Sequence, residues 1–168
     1  GHSVVAFELY ERMQCEGFEP DETTLSCILK SCGTSSSISH GRLVHYTIIT
    51  NGVEENIIVG NSIVDMYSKC GSLIEAHKVF QTMTLHNVVS WNALIAGYVH
   101  HGCNLHALQT FDEMQKEGLL PDRITFSCVL KACTNLGLIS EGKRVHEKLV
   151  KDGFQASIVV ASTLVDMY

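Results

Sequence analysis

The sequence lacks the features that would place it in a membrane, secreted or disordered class. No apolar run in its 168 residues approaches the roughly 18 to 20 residues needed to cross a bilayer. The N-terminus lacks the basic-then-apolar pattern of a signal peptide. Charged residues make up only 18% and hydrophobic residues 45%, which excludes a disordered tail. We therefore expect a folded, soluble chain with no membrane partner.

The cysteines lack the CxxC spacing of zinc and thioredoxin-like sites. There are seven, an odd number, and without a secretory pattern they indicate a reducing compartment. Because free cysteine is usually buried, we expect them to be small members of the core. They are Cys15, Cys27, Cys32, Cys70, Cys103, Cys128 and Cys133.

Signatures of catalysis are absent as well. The zinc deaminase signature needs a His-x-Glu and a later Pro-Cys-x-x-Cys, and neither half is present. There is no phosphate-binding glycine loop and no Gly-x-Ser-x-Gly elbow. The histidines are scattered: His100 and His101 adjoin a predicted turn, while His45 and His146 lie on the packing face of a predicted helix. We expect no enzyme activity, no metal and no cofactor.

A basic surplus is also missing. Twelve basic residues stand against 18 acidic ones, a net charge of −6, which is the wrong sign for a protein that holds nucleic acid by a basic surface. Any binding of nucleic acid must then depend on base edges and stacking, helped by local cations such as Lys30, Lys69 and Lys131.

What the sequence does contain is an internal repeat. A shift of 101 residues aligns positions 1–67 with 102–168, and 26 of these 67 pairs are identical. The segment 24–32 returns as 125–133, and Val64-Asp65-Met66-Tyr67 returns unchanged at 165–168. A fixed period of this kind indicates a repeat architecture.

Shorter units lie within the long period. Glu16-Gly17-Phe18-Glu19-Pro20-Asp21 and Glu117-Gly118-Leu119-Leu120-Pro121-Asp122 each close a helical stretch with Gly and Pro. Each unit carries two helical apolar patterns separated by a short break that contains Gly or polar residues, as at 69–72 and 101–104. The predicted units are 22–56, 57–87, 88–122 and 123–157, flanked by partial units 1–21 and 158–168.

Each unit is therefore predicted to be a helical hairpin. A hairpin this short cannot bury its apolar face alone, so neighbouring hairpins must stack. We expect an all-α fold, a right-handed α-α superhelix with first helices lining its concave side.

Particular residues resemble the pentatricopeptide repeat family. The segment 88–98 (VVSWNALIAGY), followed by 107–114 (ALQTFDEM) and 118–122 (GLLPD), resembles this repeat throughout, whereas the tetratricopeptide pattern is not present. Unit lengths of 35, 31 and 35 residues resemble the L, S and P types of plant organelle proteins. By that resemblance 22–56 and 123–157 are L-type, 57–87 is S-type and 88–122 is P-type, while 1–21 is a partial P- or S-type unit and 158–168 a partial S-type unit. The sequence resembles a fragment of a longer array.

The resemblance implies binding of single-stranded RNA, about one base per repeat, by the fifth and last residues of each unit. The alternatives are that these are polar residues at helix starts and in loops, and that the apolar second residues, which the family wedges between bases, are core. The implied pairs are Asn61 with Asn87 and Asn92 with Asp122, with weaker L-type contacts at Ser26 with Asn56 and Ser127 with Ser157; Ser162 and Asp21 hold the same positions in the partial units, and the wedges are Ile58, Val89, Ile124 and Val159.

The resemblance also implies a biological setting. Plant arrays of this type usually select cytidines for conversion to uridine in organelle transcripts, so we expect a role in organellar RNA processing, in the mitochondrion or alternatively the chloroplast. Editing-factor proteins, or a deaminase-like domain outside this sequence, are the further partners implied. For the two pairs we expect a pyrimidine followed by uridine. The competing interpretation is a protein-binding helical scaffold, which an acidic solenoid suits equally well.

Overall fold

The computed structural model describes residues 2–154 and 158–168, and within these ranges the chain forms helices and no strands. The all-α prediction is confirmed. The helices are α1 (His2–Cys15), α2 (Glu22–Thr34), α3 (Ile38–Thr50), α4 (Ile57–Lys69), α5 (Leu73–Thr82), α6 (Val88–His100), α7 (Asn104–Lys116), α8 (Arg123–Leu136), α9 (Ile139–Lys151) and α10 (Ile158–Met167).

The chain divides into two compact units, Gly1–His86 and Asn87–Tyr168. In the first, α2 packs against α1, α3 and α4, and α4 packs against α5. In the second, α8 packs against α6, α7, α9 and α10, and α6 packs against α7. The pairs α2–α3, α4–α5, α6–α7 and α8–α9 each lie within one predicted 31- or 35-residue segment and pack as helical hairpins. The bounds of the units stay a prediction.

First helices of the hairpins are buried more completely than second helices. In α6 the buried residues include Trp91, Leu94, Ile95 and Tyr98, so both sides of this helix pack against neighbours. In α9 only one stripe is buried, formed by Gly142, Val145 and Leu149 at intervals of three and four residues. The first helices therefore form the inner part of each compact unit.

A close contact between a glycine and a methionine recurs 101 residues apart. A Cβ atom added to Gly41 of α3 would overlap the Sδ atom of Met66 in α4, and one added to Gly142 of α9 would overlap Sδ of Met167 in α10. A side chain at either position would require the methionine to move. The contact favours glycine in the second helix of both segments predicted to be L-type.

A histidine–tyrosine hydrogen bond joins the same helices. His45 Nδ1 lies 3.0 Å from the Tyr67 hydroxyl, and His146 Nδ1 lies 3.1 Å from the Tyr168 hydroxyl. Both histidines are half-buried, as expected for the packing face of a second helix. Burial, which outweighs the effect of nearby Glu54, lowers the pKa of His45.

The cysteine prediction is correct for some positions and wrong for others. Cys32 and Cys133 are buried, and burial is the main reason that the pKa of each thiol is raised to about 11. Cys15 and Cys27 are exposed. Cys27 points outward because the buried face of α2 is formed by Leu25, Ile28, Leu29 and Cys32, and Cys15 is the last residue of α1.

Membrane-spanning helices and metal-binding clusters are both absent from the described ranges. None of the helices in the described ranges is both long and apolar enough to cross a membrane. Across the same ranges, no three His, Cys, Asp or Glu side chains come together in a way that could hold a metal ion.

The turn after α2 contains a strained residue. Ser36 has φ of 53°, in the left-handed region that favours glycine, and the equivalent residue after α8 is Gly137, with φ of 67°. Both turns close with the same backbone hydrogen bond, Ser37 N to Cys32 O and Leu138 N to Cys133 O, each 2.9 Å long. The two turns therefore have the same geometry, but glycine at 137 fits the left-handed conformation better than serine at 36.

We expect Ser36→Gly to stabilise the protein by about 0.5 to 1 kcal/mol, because relief of the left-handed strain exceeds the extra entropy that glycine loses on folding. Gly137→Ser is the reciprocal control and should destabilise it by a similar amount. Urea unfolding monitored by circular dichroism measures both free energies. A destabilised Ser36→Gly variant would contradict the proposed strain.

Candidate functional site

The first helix of each hairpin begins at a polar side chain that caps it. The capping oxygens accept hydrogen bonds from backbone N–H groups of the first turn, which have no partner within the helix. In contrast, α3, α5, α7 and α9 begin without a side-chain cap. The caps are Asp21 for α2, Asn56 for α4, Asn87 for α6 and Asp122 for α8, which are four of the five predicted last residues of units.

The caps hold the backbone of the second residue of the following helix. Asn56 Oδ1 accepts from Ile58 N at 2.9 Å, and Asn87 Oδ1 accepts from Val89 N at 3.0 Å. Asp122 Oδ1 accepts from Ile124 N at 2.9 Å. Each polar cap is therefore fixed beside one aliphatic residue, with the same geometry at three places in the chain.

These aliphatic residues are exposed. The exposed fraction is 61% for Ile58, 59% for Val89 and 48% for Ile124. Core packing, the competing interpretation of these positions, is therefore excluded for all three. The buried face of α4 starts one residue later, at Val59. An apolar side chain exposed at the same place beside each cap is available to an external partner.

The predicted pair Asn92 and Asp122 is in direct contact. Asn92 Nδ2 donates to Asp122 Oδ1 at 3.0 Å, although the two residues lie 30 positions apart. Asn92 is 7% exposed and Asp122 is half-buried. The Thr125 hydroxyl lies 2.6 Å from Asn92 Oδ1 and 3.0 Å from Asp122 Oδ1. The three side chains form one network at the start of α8.

The two carboxylate oxygens of Asp122 have different roles. Oδ1 accepts from the backbone of Ile124 and Thr125 and from the side chain of Asn92. Within the described ranges, Oδ2 has no hydrogen-bond partner. Burial raises the pKa of Asp122, but the hydrogen bonds from Thr125, Asn92 and Ile124 together lower it by more. The pKa therefore lies below its usual value. Asp122 is thus an ionised acceptor with one oxygen available.

Thr125 was not among the predicted site residues. Its hydroxyl also accepts from the Asp122 backbone N–H at 3.1 Å, which completes a reciprocal capping box. Asn87 and Ser90 form the same box at the start of α6. The repeated spacing of an acidic or amide residue followed three positions later by Ser or Thr could have revealed these hydroxyls. It could not have revealed the contact with Asn92.

Each of the other predicted residues has different surroundings. Asn61 is 9% exposed and lies in the first compact unit, whereas Asn87 begins the second. The Ser26 hydroxyl is buried without a hydrogen-bond partner in the described structure, so it makes no hydrogen bond to Asn56. Ser127 pairs with Thr163 at 3.1 Å. Asp21 and Ser162 are exposed, while Ser157 and the side chain of Val159 lie outside the described residues.

Comparison with protein families decides the identity of the fold. The PPR repeat family model matches residues 86–135, and the PPR repeat model matches 61–88 and 124–154. Together these matches cover more than half of the chain. The chain belongs to the pentatricopeptide repeat family. Its assignment to P, L and S types stays a prediction.

Individual relatives agree with this family. A pentatricopeptide repeat-containing protein of Arabidopsis thaliana is 41% identical over 97% of this chain and 24% of its own length. Another from the same plant, named chloroplastic, is 32% identical over 100% of this chain and 27% of its own length. The chain therefore spans about a quarter of the length of the curated relatives it matches.

A solved structure with a bound ligand is similar as well. The maize pentatricopeptide repeat protein PPR10, in complex with an 18-nt psaJ RNA element, has a TM-score of 0.79 and is 26% identical. The similarity covers 95% of this chain and 24% of that one.

Charge around the caps of this pentatricopeptide repeat chain is uneven. Lys69, one of the local cations predicted to help binding, is paired with Asp65 at 2.6 Å. Lys30 and Lys131 are exposed on first helices, without an ion-pair partner in the described ranges. A cleft of about 170 Å³ beside Asn56 is lined by Glu54 and Glu55. Its carboxylates would repel a phosphate, so the cap at Asn56 is the less favourable one for an anionic ligand.

Asp122→Asn should flatten the dependence of stability on pH. Because the pKa of Asp122 is lower folded than unfolded, its ionised form stabilises the fold above the ordinary value of 3.8, and this contribution is lost as pH falls through the folded pKa. We expect the wild type to be more stable than the variant at neutral pH. Urea unfolding at a series of pH values should show that the difference in free energy of unfolding between wild type and variant shrinks in acid. A difference that is constant with pH would contradict the lowered pKa of Asp122.

Proposed function

We propose that this chain binds single-stranded RNA and contacts about one base per repeat. The observation that carries the proposal is the repeated pairing of a polar cap with an exposed aliphatic side chain, at Asn56 with Ile58, Asn87 with Val89 and Asp122 with Ile124. The RNA complex of the similar protein PPR10 supports it. An exposed aliphatic group can pack on the face of an unstacked base, while the cap meets the base edge.

The arrangement also accounts for RNA binding by an acidic chain. Base faces and edges are uncharged, so contacts with them do not require a basic surface. Lys30 and Lys131 supply exposed positive charge on two first helices for phosphate groups. We expect a weaker dependence of affinity on salt than for proteins that bind mainly through phosphates.

The Asn92–Asp122 pair favours uridine. Uracil carries a hydrogen on its ring N3, which the available Asp122 Oδ2 can accept directly or through water, whereas cytosine has an unprotonated N3 there. Asn87 is an amide, which can donate or accept, so the preceding position is expected to take either pyrimidine. Ser26 and Ser127 contribute less, because one hydroxyl is buried and the other is bonded to Thr163.

The proposed role is recognition of an organellar transcript during RNA processing, including selection of cytidines for editing. One relative is named chloroplastic, which supports an organelle and favours the chloroplast; the mitochondrion stays a prediction. The absence of enzyme activity in this chain stays a prediction too. Catalysis would then come from other segments or partners, as the resemblance implies.

Removal of the exposed aliphatic groups should weaken RNA binding without destabilising the fold. We expect Val89→Ala and Ile124→Ala each to lower affinity about two- to fivefold, since an aliphatic contact is weaker than the roughly 1 to 3 kcal/mol of an aromatic platform. Leu105→Ala, at an equally exposed residue of α7, is the matched control. Fluorescence anisotropy with labelled RNA from a random pool measures affinity. An equal loss of RNA affinity in all three variants would contradict the proposed packing of Val89 and Ile124 against bases.

Asp122→Asn should change base preference more than affinity. We expect the difference in binding free energy between RNAs with uridine and with cytidine at this base to narrow by on the order of 1 kcal/mol, comparable to one good base-edge contact. The measurement is a titration with RNAs that differ only at the base opposite this repeat, with the other bases fixed by selection from a random pool. If the substitution changes all four affinities equally, or none of them, Asp122 acts only as a helix cap.

A further inference from the structure

The Thr125 hydroxyl is constrained from both sides. It accepts a hydrogen bond from the Asp122 backbone N–H, so its own hydrogen must point towards another acceptor. Two acceptors are near, Asn92 Oδ1 at 2.6 Å and Asp122 Oδ1 at 3.0 Å, and one hydrogen can serve only one of them well. The shorter distance assigns that hydrogen to Asn92.

The same cap and threonine recur at the start of α2. Thr24 lies three residues after the cap Asp21, as Thr125 lies three residues after Asp122. The Thr24 hydroxyl donates to Asp21 Oδ1 at 2.6 Å. At the start of α8, the shortest hydrogen bond of the Thr125 hydroxyl goes to Asn92 Oδ1 instead, and its distance to the cap is 3.0 Å.

We propose that Thr125 is a positioning residue that fixes the orientation of the Asn92 amide and thereby sets base choice at the Asn92–Asp122 pair. The inference rests on the proposed RNA-binding function. With Oδ1 held by Thr125 and one Nδ2 hydrogen held by Asp122, the amide cannot flip without placing its oxygen against the carboxylate. The amide therefore retains one N–H for a ligand, beside the available acceptor Asp122 Oδ2.

This fixed donor and acceptor match some bases and reject others. Uracil presents a carbonyl oxygen beside N3–H, which complements the pair, whereas cytosine presents an unprotonated N3 beside its amino group. Without the Thr125 hydroxyl, the amide has one restraint fewer and can turn to present its oxygen to the cytosine amino group. Loss of the hydroxyl should therefore relax discrimination rather than abolish binding.

The variants that test this are Thr125→Val, Thr125→Ser and Thr24→Val. The first removes the hydroxyl with little change of shape at a fully buried residue, and the second retains the hydroxyl. Thr24→Val removes the hydroxyl that donates to the cap Asp21. We expect the preference for uridine over cytidine to fall about threefold to tenfold in Thr125→Val and to be unchanged in the other two, measured with RNAs that differ only at that base.

A second readout does not require RNA. In the free protein, the side-chain amide signals of Asn92 in a nitrogen-15 NMR spectrum should shift and exchange faster with solvent in Thr125→Val, and remain as in the wild type in Thr24→Val. If Thr125→Val does not fold, Thr125→Ala, which places no methyl group against the two acceptors, replaces it in both measurements.

The outcomes separate this inference from the proposed function. A wild type that does not bind RNA refutes the proposed function, while altered Asn92 signals in Thr125→Val would still show that Thr125 positions the amide. Wild-type discrimination that is unchanged in Thr125→Val refutes the inference alone. An equal loss of discrimination in Thr125→Ser and Thr125→Val refutes it as well, because packing rather than the hydroxyl would then be responsible.

Discussion

The start of each first helix depends on a hydrogen bond from its backbone to a short polar side chain. An α-helix leaves its first N–H groups without partners, and Asp or Asn satisfies them with a single oxygen. In Asn56 and Asp122, the described structure uses Oδ1 for this task and leaves the other terminal atom of the side chain unbonded. One residue can thus stabilise the fold and offer a group to a ligand, and the four observed caps lie at positions predicted to recognise bases.

The same bond explains why an aliphatic side chain is exposed beside the caps Asn56, Asn87 and Asp122. The cap accepts from the N–H of the second helical residue, so that residue is fixed in the first turn before the buried face of the helix begins. Val89 cannot move into the core without breaking the cap. The apolar surface that it exposes is therefore a consequence of the helix start, and a base is a partner of suitable shape for it.

Periodicity and punctuation were sufficient to predict the hairpins, because local spacing determines which residues face the core. The glycines at the breaks, such as Gly71 and Gly102 with φ of 77° and 76°, were predictable for the same reason. The contact of Asn92 with Thr125 was not, since it joins residues 33 positions apart and depends on how α6 and α8 pack. The exposed Cys27 was missed because a general preference for burial was applied without regard to its helix face.

Side-chain length separates the segments that can form a coupled pair from those that cannot. Asn92 reaches the cap Asp122 at 3.0 Å, whereas Ser26 has a shorter side chain and its buried hydroxyl makes no hydrogen bond in the described structure. Asn56 caps α4 as Asp122 caps α8, so the cap itself is not the limiting factor. The limiting factor is the fifth residue. Under the proposed recognition of a base edge by two groups in fixed relation, a serine in that position leaves the cap to act alone.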